Sequence, residues 1–144
     1  MTFRVAWAAA AISAFVALAT PARAEVTTPD AHFGFRPGTD RRLASMDAIE
    51  RYFERIAAET DRVTIIDLGS TTEGHRTLAA VISAPENLRN LPQIRAVNQR
   101  LADPRTLEPD EARRLASTQK AIIAIGASIH ASEVGGTETS STLL

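Results

Sequence analysis

No cysteine occurs among the 144 residues, and that absence removes disulfide frameworks and thiolate metal sites together. Histidine is scarce as well. His32, His75 and His130 are the whole supply, so any metal here must be held by imidazole and carboxylate. An excess of charge of either sign is also lacking: Lys and Arg total 16 against 17 Asp and Glu, for a net charge of -1. With no basic surplus to neutralise a phosphate backbone, no nucleic-acid partner is expected. The chain is long enough for one ordinary core and one domain, not more.

The apolar run that does exist is short and lies at the start. Met1-Thr2-Phe3-Arg4 is a positive opening, and Val5 to Ala19 is dominated by Ala, Val, Ile and Phe. Pro21-Ala22-Arg23-Ala24 then closes in the small-x-small pattern of a signal-peptidase site. A membrane anchor needs about 20 apolar residues, and this run falls short of it. Residues 1–24 therefore read as a signal peptide. The mature chain is expected to be exported to the periplasm or beyond the cell, with no stable membrane anchor after cleavage.

Residues 25–42 carry Pro29, Gly34, Pro37 and Gly38 and read as an extended lead-in without a core of its own. A helix is predicted over 45–59. Ser45 caps it, Asp47 sits in its first turn, and Ile49, Tyr52, Phe53 and Ile56 make one apolar face. Val63 to Leu68 and Thr77 to Ile82 are β-branched, glycine- and proline-bounded runs that predict two strands, joined by a turn from Gly69 to Arg76. Two further helices are predicted between Asn90 and Thr118, the second opening on Pro109-Asp110-Glu111. Ala121-Ile122-Ile123-Ala124-Ile125 is apolar at every position, the pattern of a strand covered on both faces.

That run ends at Gly126, and a polar cluster follows at once. His130 and Glu133 lie three residues apart, a spacing that lets an imidazole nitrogen and a carboxylate oxygen converge on one cation. Both are good zinc donors, and two His with one Glu is an established catalytic set. A His-x-x-Glu pair alone has little specificity, because many helices carry one as a surface pair. Its position after an apolar strand, inside a glycine-flanked loop, is what singles it out. His75 in its turn and His32 in the lead-in read as solvated surface residues, Glu138 as an exposed charge, and Glu73 and Gly74 as parts of a tight turn.

Ile129-His130-Ala131-Ser132-Glu133-Val134-Gly135-Gly136 resembles the first zinc-binding motif of the M14 zinc carboxypeptidases, in the variant of larger bacterial members. Gly69-x-Thr71-x-Glu73-Gly74 resembles that family's G-x-S-x-E-G-R turn, with His75 standing where the family has Arg and Arg76 one place later. The resemblance implies an α/β fold, part of a mixed central sheet flanked by helices and truncated after the first metal motif. Residues 43–144 would be the N-terminal part of the catalytic domain. It implies Zn²⁺ as cofactor, held by His130 and Glu133, and a peptide or protein C-terminus as substrate. The third ligand, a carboxylate-gripping Arg and the general-base Glu lie later in the family, so no catalytic residue is expected here and the chain alone is expected to be inactive. Two other readings stand beside this one: a zinc amidohydrolase of the aspartoacylase type, and a secreted binding module that keeps the fold without the chemistry.

Overall fold

The computed structural model describes residues 25–144; the expected signal segment, 1–24, lies outside the described residues. The architecture is α/β. Its elements run α1 (Pro29–Phe33), α2 (Met46–Glu59), β1 (Val63–Ser70), β2 (Arg76–Ile82), α3 (Pro85–Arg89), α4 (Leu91–Ala102), α5 (Pro109–Thr118) and α6 (Val134–Ser140), with a 3-10 turn at Pro104–Thr106. Helix α2 forms as its periodicity predicts. The Ser45 hydroxyl accepts the Ala48 N–H at 3.3 Å, and Asp47 opposes the positive end of the helix dipole. Its apolar stripe is buried at Ile49, Tyr52 and Ile56.

The two strands form an antiparallel hairpin in the register Val63↔Ile82, Ile65↔Ala80 and Asp67↔Leu78. Alternation then puts Val63 and Ile65 on the face towards α2, where Val63 joins Tyr52 and Ile56 in the core. Ile66 and Leu68 point to the other face and are exposed. An irregularity between Asp67 and Ser70 bends the ladder at Gly69, whose φ of 104° suits a residue without Cβ. In the turn Thr71 is the organising residue. Its N–H donates to the His75 carbonyl at 2.8 Å, and its hydroxyl accepts the His75 N–H at 3.1 Å. Glu73, expected to support this turn, is exposed.

The lead-in differs from an extended segment. Thr28 caps the short helix α1, and Val26 and Phe33 pack on the Tyr52–Ile56–Val63 core. Thr27 clamps the far end of α2: its N–H and hydroxyl donate to the two Glu59 oxygens at 2.7 and 2.8 Å. His32 is half-buried rather than solvated. Its Nε2 lies 3.2 Å from the Ala48 carbonyl, and its ring centroid is 5.1 Å from those of both Phe33 and Tyr52. An aromatic neighbour one residue on and a helix passing alongside give this imidazole a packing role.

The larger departure concerns residues 121–125. They form no strand, and Ile122, Ile123 and Ile125 are 63%, 84% and 67% exposed. An all-apolar strand needs cover on both faces and a hydrogen-bonding neighbour. Among the described residues the sheet has two strands, and neither pairs with this run. Helices α4 and α5 pack on each other instead, joined by the Gln119 amide to the Ile94 carbonyl at 2.9 Å and by Arg100 to Glu111 at 2.8 Å. No helix of the described residues is long and apolar enough to cross a membrane.

Candidate metal centre

The loop from Gly126 to Glu133 joins the bare apolar run to α6, and side-chain hydroxyls fix its shape. Ser128 adopts a φ of 99°, a conformation that costs a non-glycine residue energy unless its surroundings enforce it. Here they do. The Ser128 hydroxyl donates to the Glu133 carbonyl at 2.5 Å and accepts from the Thr137 hydroxyl at 3.2 Å. Gly136 lets α6 approach, since a Cβ there would stand 2.6 Å from Ser128 Oγ. The loop and the first turns of α6 thus make one knot.

Within that knot His130 and Glu133 are brought together. Nδ1 of His130 lies 2.7 Å from Oε1 of Glu133. The other carboxylate oxygen, Oε2, accepts the backbone N–H of Ile129 at 3.1 Å and of His130 at 3.2 Å. The Glu133 N–H closes the ring by donating to the His130 carbonyl at 3.0 Å. The bond with His130, followed by the two backbone donors, holds the Glu133 carboxyl below its ordinary pKa and so in its charged form. The pair is open to water, with side chains 70% and 51% exposed, and does not sit at the depth that a covered strand would give it.

These donors suit zinc. Bonds of about 2.0–2.2 Å in a tetrahedral arrangement place two ligand atoms about 3.3–3.5 Å apart. Nδ1 and Oε1 face each other at 2.7 Å, closer than two ligands of one zinc ion would stand, and Oε2 is held by its backbone bonds, so these two residues would hold the ion by parting slightly. Among the described residues no group of three His, Asp or Glu gathers around one point. His75 shares a cavity of about 660 Å³ with His130; Phe53 and Leu78 form part of its apolar wall. His32 lies away from this cavity, against Tyr52.

Three residues of this region escaped the sequence reading. Ser128 and Thr137 carry no signal, because a hydroxyl knot depends on a backbone conformation rather than on spacing. Glu138 is the third: it is buried at 7% exposure instead of being a surface charge.

A family model described as zinc carboxypeptidase, the M14 peptidases, matches residues 49–144. No curated protein and no solved structure matches the chain. The matched span covers more than half of the sequence and runs from the buried face of α2, through the hairpin and its glycine turn, to the loop that pairs His130 with Glu133; the chain belongs to the zinc carboxypeptidase family.

Proposed function

We propose that this chain supplies two zinc ligands, His130 through Nδ1 and Glu133 through Oε1, to a metallocarboxypeptidase that hydrolyses C-terminal peptide bonds. The observation that carries the proposal is the 2.7 Å approach of those two atoms, with the second Glu133 oxygen already held by the Ile129 and His130 N–H groups. Bound zinc supplies a Lewis acid for the scissile carbonyl and lowers the pKa of a coordinated water. The residues of this chain do the holding. Glu133 brings a full negative charge, oriented by the Ile129 and His130 N–H groups, and the imidazole of His130 is aimed by the same turn of chain. The cavity beside His130 gives a peptide end an apolar wall from Phe53 and Leu78.

Membership of the family supports the peptidase class, and export of the mature chain is proposed from the signal-like residues 1–24. The chain by itself is proposed to be inactive, because catalytic zinc takes three protein ligands and no third one converges on His130 and Glu133 among the described residues. The rival is a binding module of the same fold. It draws support from the lack of a third converging ligand among the described residues. Zinc uptake separates the two when measured on the chain with and without His130→Ala. Uptake that depends on His130 supports the ligand role, and a chain that ignores zinc leaves the binding module. A carboxypeptidase assay on the same material tests the second part, with no turnover expected.

A further inference from the structure

The loop bearing His130 and Glu133 is fixed only as well as α6 is fixed, and α6 is anchored at its middle and far end. Glu138 is 7% exposed and its Oε1 accepts the Ala44 N–H at 2.7 Å, linking α6 to the segment just ahead of α2 across 94 positions of sequence. Ser141, 2% exposed, donates to the Glu138 carbonyl at 2.8 Å, and Leu144 packs on the Tyr52–Ile56–Val63 core. Among the described residues no hydrogen bond ties the loop itself to an earlier segment, and Ile129 is 91% exposed. The loop's attachment to the rest of the protein runs through Ser128 and Thr137 to α6, and from α6 through Glu138 to Ala44.

Burying a carboxylate is costly, and here its second oxygen, Oε2, is buried with no partner among the described residues. Stability alone would favour an apolar residue at that place. Its other oxygen ties α6, and with it the ligand loop, to the Ala44 N–H just ahead of α2.

We infer that Glu138 is a positioning residue for the metal site: its bond to the Ala44 N–H sets α6, and through the Ser128–Thr137 knot sets where His130 and Glu133 stand. The inference rests on the proposed ligand role of those two residues, and its test keeps the two apart. In the full chain, zinc affinity by chelator competition and amide hydrogen exchange are compared for Glu138→Ala, Glu138→Gln and His130→Ala. Glu138→Gln retains an acceptor for the Ala44 N–H, whereas Glu138→Ala removes it. The expected result is that Glu138→Ala weakens zinc binding about tenfold or more. It also speeds exchange at the Ile129 and His130 amides and leaves protection within α2 unchanged. Glu138→Gln stays near the parent on both readouts.

Parent-like affinity and loop exchange in Glu138→Ala overturn the inference, and so does a Gln variant that behaves like Ala. If His130→Ala binds zinc as the parent does, the ligand reading fails, and loop exchange alone still decides the role of Glu138. If Glu138→Ala loses protection throughout, Glu138→Asp replaces it, with the carboxylate withdrawn by one methylene. Faster loop exchange in that variant upholds the inference, and parent-like exchange overturns it.

Discussion

The hydroxyl of Ser128 occupies the space beside Gly136 that any other residue would fill, and a Cβ there would stand 2.6 Å from Oγ and 3.2 Å from the Ser128 nitrogen. Helix propensity alone favours Gly136→Ala, by about 1 kcal/mol. The contact reverses that preference. The substitution is expected to lower stability in denaturant titration and to weaken zinc binding, because the loop must move off α6. Adding Ser128→Gly removes the obstructing hydroxyl and relieves the φ of 99°, so the double variant should regain stability relative to Gly136→Ala alone.

Arg76 joins three elements. Its guanidinium reaches Glu54 on α2 at 2.5 Å and Asp67 on β1 at 3.3 Å, while its own backbone opens β2. Both carboxylates raise the Arg76 pKa, the Glu54 bond most, and its contact with Asp67 helps to lower that residue's pKa after the Gly69 N–H. All three side chains are well exposed, so water and salt screen the attraction. Arg76→Ala is expected to lower the melting temperature slightly, with the difference shrinking as salt is raised. An effect that grows with salt would contradict this account.

Glu59 gives the fold a sign-defined response to acid. Its bond with Arg55, then the N–H and hydroxyl of Thr27, lower its pKa from 4.5 to about 2. A carboxyl depressed on folding contributes stability that is present above its unfolded pKa and is lost as pH falls towards the folded value. Stability should therefore decline between about pH 4.5 and pH 2 from this group. In Glu59→Gln that part of the decline is absent, and the gap between the two proteins closes near pH 2. Urea titrations at several pH values measure it.

Ile56 is the most enclosed member of the core, at 1% exposure between Tyr52 and Val63. Truncation to Ala leaves a cavity among side chains that cannot close on it, and about 2–5 kcal/mol of stability should be lost. With so few buried residues in support, partial unfolding near room temperature is expected, read by circular dichroism.

The same physics explains which parts were legible in the sequence. Helix α2 and the hairpin could be read because their signals are local: a capping serine, an apolar stripe of period 3.6, and β-branched runs broken by glycine. The run 121–125 declares what environment it needs, but a sequence window cannot say whether a neighbouring strand is there to provide it. The His130–Glu133 pair was legible because both groups lie within one turn of chain. Glu138 was not, since its partner is Ala44, 94 positions away, and a lone Glu on a short helix has no distinguishing context. His32 was misread for a similar reason: its burial comes from Tyr52 and Ala48 on another helix.

The most direct test of the account is zinc binding by the chain and by its His130→Ala and Glu133→Ala variants, read by equilibrium chelator competition with circular dichroism as a check on folding. The expected result is a single site that weakens about tenfold or more on either substitution while the fold is kept. Zinc affinity that is unchanged by both substitutions would contradict it.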